Sequence, residues 1–184
     1  TSANAEIKGN KTTHFPELNL SGNGNVFLFV NTLVGGGFSG GGTGILRLNN
    51  SKLNLQGRTL LLNNSKSSAI TYNTNGGIIS ESNSSSGYGW VQWNIRNGNG
   101  GPVFSVPFIN TAGDRVTMQF TVNYQGTQSV DSGFVAVATY PTIDAPVPNN
   151  RPLPVGVFHT ENECEGENSE RFINRYFIMN DGGY

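Results

Sequence analysis

The sequence is poor in charged residues and has no long apolar run. Only 12% of its 184 residues are charged, and the formal net charge is −1. A chain this close to neutrality has no sequence-independent attraction for nucleic acid or for an anionic membrane surface. No apolar run approaches the roughly 18 residues that a membrane-spanning helix requires. The sequence therefore predicts a protein that neither binds nucleic acid nor inserts into a membrane.

Cysteine is almost absent, since Cys164 is the single one and cannot form a disulfide within the chain. Gly, Asn, Ser and Thr together supply 81 of the 184 residues. This composition leaves too few charges for a helical bundle, while 10% aromatic residues are too many for a disordered tail. A cysteine-poor chain of this kind is compatible with an exported bacterial protein that does not rely on disulfides.

Acidic residues are missing from residues 18–80, which carry only the basic side chains of Arg47, Lys52, Arg58 and Lys66. Enzymes that cleave polysaccharides on a β-sheet face use clustered carboxylates, either as acid and base or as metal ligands. Residues 18–80 offer none. The sequence therefore predicts a non-catalytic protein, and no cofactor is expected.

Three Leu-x-Leu units follow one another in steps of seven residues, at Leu46/Leu48, Leu53/Leu55 and Leu60/Leu62. Alternation with a period of two is typical of strands and not of helices. Very short strands joined by polar turns at a fixed step favour a parallel β-helix or solenoid. Three sides of about seven residues then give a coil of about 21 residues.

An antiparallel meander is the alternative for the same residues. Its hairpins would lie at Gln56-Gly57 and Asn75-Gly76, because Asn-Gly is a strong signal for the type I′ turn that joins hairpin strands. Both interpretations are all-β, and they differ in whether neighbouring strands run parallel or antiparallel.

The second half of the chain has longer alternating strands. They are predicted around Val91–Ile95, Phe104–Phe108, Val116–Tyr124, Phe134–Tyr140 and Arg175–Met179. Turn clusters between them predict an antiparallel, sandwich-like arrangement. We expect residues 1–85 to form a β-solenoid-like part that packs on a β-sandwich-like part at residues 86–184, in one continuous structural unit.

Two loops and one ambiguous segment complete this organisation. The glycine-rich residues 35–44 lack the Gly-Lys-Ser/Thr of a phosphate-binding loop and predict a surface loop. The proline-rich residues 141–156 predict an extended loop without ladder hydrogen bonds. Helix signals are weak throughout, and residues 162–172 are the one segment that could hold a helical turn.

The candidate binding residues are aromatic. Trp93 alternates with Val91 and Ile95 and is predicted to point into the core, whereas Tyr88 and Trp90 lie on the opposite face of the same strand. Exposed aromatic rings can stack on sugar rings. Tyr88 and Trp90 are therefore the candidates for glycan binding.

Metal binding has weaker support. Glu161, Glu163 and Glu165 belong to an acidic run whose oxygen ligands could hold calcium, but the Asp/Asn/Gly pattern of a calcium loop is missing. His159 and Cys164 lie nearby, without the further ligands of a metal site or the base and orienting group of a nucleophile. We expect a solvated acidic face and no bound metal.

Eight segments occur in the order found in a module of large secreted and surface proteins of Bacteroidota that are exported by the type IX secretion system. The segments are Gly44–Asn49, Leu53–Leu62, Ala69–Ile70, Gly77–Glu81, Val91–Ile95, Phe104–Phe108, Ala138–Pro141 and Arg175–Ile178. The chain resembles this family over most of residues 40–180. Near the end the family has Asp-Arg-Phe-Trp, where this chain has Asn174-Arg175-Tyr176-Phe177.

The resemblance implies a non-catalytic extracellular module on the cell surface, one unit of a longer adhesin or fibre-like protein. The implied function is structural or adhesive, through assembly with other copies or neighbouring domains of the same protein into a fibre or surface layer. Binding of surface glycans, as a carbohydrate-binding module of an adhesin, is the alternative function.

Overall fold

The computed structural model describes residues 4–36, 42–81, 88–96, 101–122, 132–141 and 175–182. Strands are the dominant regular structure of these residues, which confirms the all-β class; a 3₁₀ turn at Ser67–Ala69 is their only helical element. The described residues contain no helix that is long and apolar enough to cross a membrane.

Short strands precede residue 85 and longer strands follow it. The short strands are β1 (Ala5–Ile7), β2 (Thr13–Phe15), β3 (Leu18–Ser21), β4 (Asn25–Leu28), β5 (Thr32–Val34), β6 (Leu46–Asn49), β7 (Lys52–Asn54), β8 (Thr59–Leu62), β9 (Ile70–Tyr72) and β10 (Gly77–Ile79). The longer strands are β11 (Trp90–Arg96), β12 (Val103–Ile109), β13 (Arg115–Thr121), β14 (Ser132–Pro141) and β15 (Arg175–Gly182).

The strands form three sheets, which are named A, B and C here. Sheet A has the order β1-β4-β7-β10-β12-β13, sheet B has the order β2-β5-β8-β11-β14-β15 (from its other edge), and sheet C has the order β3-β6-β9. From β1 to β11, consecutive strands thus visit A, B and C in turn, and every pairing among β1 to β10 is parallel. The chain therefore winds as a three-sided coil, and the meander is the wrong alternative.

The Leu-x-Leu units occupy three successive sides of one stretch of this coil, in β6, in β7 with the residue after it, and in β8. Their six leucines are at most 1% exposed. A side chain that points inward on a strand is followed by one that points outward, so each unit puts two leucines into the core from one side. The seven-residue step therefore predicts these sides correctly.

The Gln56-Gly57 turn shows why the hairpin signal misled. Both residues have positive φ, at 48° and 74°, and the N–H of Arg58 donates to the carbonyl of Leu55 at 2.7 Å. The turn is as tight as a hairpin turn, but β7 and β8 on either side of it belong to different sheets. It serves as a corner of the coil.

The predicted coil length of about 21 residues holds for only one coil. Ala5 pairs with Val26, 21 residues later, but Leu60 pairs with Val91, 31 residues later. The additional residues lie between strands, for example between β5 and β6 and between β10 and β11. Because the additional residues fall between strands, the ladders keep their register while the period changes.

The longer strands continue two of the three sheets. β12 pairs in parallel with β10 and in antiparallel with β13, which extends sheet A. β11 pairs in parallel with β8, and β14 and β15 then extend sheet B in antiparallel. Trp93 joins the two sheets, because its ring contacts Phe104 and Phe120 at centroid distances of 5.1 and 6.4 Å. The two sheets therefore share one hydrophobic core with the coil.

β14 is buried on both faces, as its apolar run predicts. Val135, Ala136, Val137 and Ala138 are each at most 7% exposed, although their side chains alternate between the two faces. The residues at 141–156 and 162–172, predicted as a proline-rich loop and a possible helical turn, lie outside the described residues apart from Pro141.

Candidate functional site

Tyr88 and Trp90 form an edge-to-face aromatic pair at the start of β11. Their ring centroids are 5.3 Å apart, the ring planes are inclined at 67°, and both residues are half-buried. Trp93 is fully buried on the other face, as alternation predicts. The outer face of sheet B therefore presents two aromatic rings together.

Backbone contacts fix the position of this pair. The N–H of Trp90 donates to the carbonyl of Arg58 at 3.1 Å, so β11 is held on β8 from its first residue. The N–H of Gly89 donates to the carbonyl of Ser80 at 2.7 Å, and the Ser80 hydroxyl donates back to Gly89 at 2.6 Å. A side chain at Gly89 would collide with Leu55, so only glycine allows this close approach.

Carboxamides continue the same face along β11. The Nε2 of Gln92 donates to the Oδ1 of Asn94 at 3.3 Å, and the Nδ2 of Asn94 donates to the Oδ1 of Asn63 at 3.1 Å. Trp90, Gln92 and Asn94 are all half-buried and alternate with the buried residues of the strand. We name the row of Tyr88, Trp90, Gln92 and Asn94 the aromatic–amide row.

The chemistry of this row suits a carbohydrate. The apolar C–H faces of a sugar ring pack on an aromatic ring, and carboxamides both donate to and accept from hydroxyl groups. Because Gln92 and Asn94 already hold each other, their remaining donors and acceptors have fixed directions. The row is thus a preformed surface.

The acidic candidates cannot be placed in the same way. Glu161, Glu163 and Glu165, together with His159 and Cys164, lie outside the described residues. Among the residues that the structure does describe, no three His, Cys, Asp or Glu side chains come together as a metal site would require.

Two polar residues have structural positions that sequence patterns did not indicate. Glu81 is only 4% exposed, and its Oε1 accepts a hydrogen bond from the N–H of Thr111, which ties the end of β10 to the β12–β13 turn. The Nη2 of Arg115 donates to the carbonyls of Asn73, Thr74 and Gly76. The one sequence signal for the position of Glu81 is that no other acidic residue lies near it in the sequence. For Arg115, the local sequence pattern gives no signal.

No protein-family model, no curated protein and no solved structure matches this chain.

Proposed function

We propose that this chain is a non-catalytic structural and adhesive module of a bacterial cell-surface protein, and that modules of this kind join end to end. The observation that supports the proposal is the edge of the first coil. Within the described residues, β1, β2 and β3 each pair with one strand only, so all three sheets begin with an open edge. Open strand edges are sites at which another strand can be added.

The direction of the backbone groups at this edge follows from the coil's own hydrogen bonds. The carbonyl of Ile7 accepts from Phe29, and the N–H of Thr13 donates to Asn31. The polar groups of Ile7 and Thr13 therefore face the second coil. Since successive residues of a strand face alternate sides, those of Glu6 face outward, toward an incoming strand.

Apolar side chains lie beside these outward-facing groups. Ile7, Phe15 and Leu20 pack on the core but are only half-buried, whereas their equivalents in the next coil, Leu28, Val34 and Leu48, are at most 1% exposed. A neighbouring coil would cover these three side chains, and each square ångström of apolar surface so buried stabilises by about 25 cal/mol.

Proline substitution tests this assembly. The variant Glu6→Pro removes an outward N–H group and leaves the hydrogen bonds to the second coil in place. The matched control, Glu6→Ala, changes the same side chain and keeps the N–H group. We expect concentration-dependent assemblies of the wild type and the alanine variant in analytical ultracentrifugation and negative-stain microscopy, and monomers of the proline variant. A wild-type protein that remains monomeric at its highest soluble concentration contradicts the proposal.

Glycan binding is a second candidate function, supported by the aromatic–amide row. On a glycan array we expect reproducible binding that Trp90→Ala abolishes. Phe29→Ala is the control, because Phe29 is an aromatic residue exposed at 42% on another part of the surface. If the wild type binds no glycan on the array, or if both variants lose binding equally, the result argues against this function.

A further inference from the structure

A polar cavity lies at the corner where the chain passes from sheet C to sheet A. Three turns of the coil meet there with the β12–β13 turn, so the cavity joins residues that are far apart in the sequence. Its volume is about 310 Å³, and its walls are Asn23, Asn50, Lys52, Thr74, Asn75, Ile109, Gly113 and Arg115.

Arg115 brings a fixed positive charge to this cavity. Its Nη2 donates to the carbonyls of Asn73, Thr74 and Gly76 at 3.0, 2.7 and 2.7 Å. The guanidinium carbon also lies 5.0 Å from the centre of the Tyr72 ring. Four contacts thus hold the guanidinium in one place, so little side-chain entropy remains to be lost when a ligand binds.

Neither cation of the cavity is neutralised within the described residues. The ion pairs among the described residues join Lys8 to Glu6 and Arg47 to Glu17, and neither pair involves Lys52 or Arg115. The Nη1 of Arg115 is buried without a hydrogen-bond partner. Positive charge that is partly withdrawn from water and has no counter-ion favours the approach of an anion.

Carboxamides and the β12–β13 turn complete the walls. The Oδ1 of Asn50 accepts from the Nδ2 atoms of Asn73 and Asn75 at 2.8 and 3.4 Å, which leaves the Nδ2 of Asn50 as a donor. A Cβ atom at Gly113 would lie 3.1 Å from the Nζ of Lys52, so glycine keeps space around this ammonium group. Ile109 adds one apolar wall.

We propose that this cavity binds the carboxylate or sulfate group of an acidic monosaccharide, with Lys52 as the direct cationic contact. The field of Arg115 adds to that of Lys52, while Asn50, Thr74 and Asn75 bond the hydroxyl groups. A volume of 310 Å³ lies at the small end of the roughly 300–1,000 Å³ that ligand pockets occupy, which suits a single sugar ring. This site is separate from the first-coil edge and from the aromatic–amide row, and it does not depend on either proposal.

Titration with sodium glucuronate tests the proposal, with glucose as the neutral ligand of equal ring size. We expect glucuronate to shift the NMR signals of residues around the cavity, with an affinity that falls as salt rises. Glucose should give no shift there. Two further ligands are titrated in the same way. Inorganic sulfate tests whether any small anion binds, and a glucuronate-terminated oligosaccharide tests whether the cavity accepts the acidic sugar at the end of a glycan.

Variants of Lys52 connect the response to the cavity. We expect Lys52→Gln to weaken glucuronate binding at least tenfold and Lys52→Arg to restore most of it, with unchanged thermal unfolding in both. Lys66→Gln removes a cation from an exposed position elsewhere and should leave the affinity unchanged. Equal affinities for glucose and glucuronate, equal affinities of the wild type and Lys52→Gln, binding of sulfate alone, or no binding at all would each overturn the proposal.

Discussion

The parallel coil and the antiparallel strands fill one continuous core with different side chains. Strands of the coil are three or four residues long and bury mainly leucine. The antiparallel strands β12 and β13 are seven residues long and place Phe104 and Phe120 in stacked contact at 5.2 Å. A short strand can bury only one or two side chains, so the coil fills its core with aliphatic residues from each side in turn, whereas the longer strands also bury aromatic rings.

Trp93 belongs to both regions, and its removal should have the largest effect on stability. We expect Trp93→Ala to lower the free energy of unfolding by about 3–5 kcal/mol, since it leaves a cavity between the sheets. It also removes the hydrogen bond from the indole N–H to the carbonyl of Asn64 at 2.9 Å. Urea denaturation measures the loss. Trp90→Ala, on the outer face, is the control and should cost less than half as much; equal costs would mean that the two regions do not share a core.

Close approach of neighbouring coils is a feature of the parallel region, and Gly76 tests it. A Cβ atom at Gly76 would overlap the carbonyl of Leu48. Because backbone cannot move aside as a flexible side chain can, we expect Gly76→Ala to cost about 3 kcal/mol in thermal or urea unfolding. Gly36→Ala is the matched control, as a Cβ atom there has open space. A Gly76→Ala protein as stable as the control would show that the coils can separate.

The corner at Gln56 should give the smallest effect, and in the opposite direction. Gln56 has a φ of 48°, where a non-glycine residue is strained by about 1–2 kcal/mol. We expect Gln56→Gly to raise the free energy of unfolding by up to about 1 kcal/mol, since glycine also loses more entropy on folding. The hydrogen bond from this N–H to the Oδ1 of Asn54 at 3.1 Å is kept. Gln56→Ala should leave the free energy of unfolding unchanged. An equal increase in both variants would mean that the positive φ of Gln56 is not the source of the strain.

Alternation within strands could be predicted from the sequence because the polarity of each side chain indicates which face of the strand it occupies. The inward leucines at Leu46 and Leu48 and the separation of Trp93 from Trp90 follow from a period of two alone. Strand pairing could not be fixed in this way. A tight turn such as Gln56-Gly57 can occur whether its flanking strands pair with each other or with other coils, so this turn by itself was also compatible with a meander.

The cavity could not be predicted at all, because its residues come from separate turns. Asn23, Asn50 and Asn75 each look like ordinary turn residues, for which asparagine is common in any case. Lys52 and Arg115 are 63 positions apart and meet only because β10 pairs with both β7 and β12. Knowledge of the sheet order was therefore necessary before these side chains could be considered together.

The ending of sheet C at β9, while sheets A and B continue, gives the described molecule two dissimilar ends. One end offers three parallel strands, whereas the other offers β13 and β15, which lie antiparallel to their partners. Contacts between unlike surfaces are heterologous, and they generate open arrays with a single direction instead of closed symmetric pairs. Any filament built from such units would have polarity, and subunits would add to its two tips at different rates.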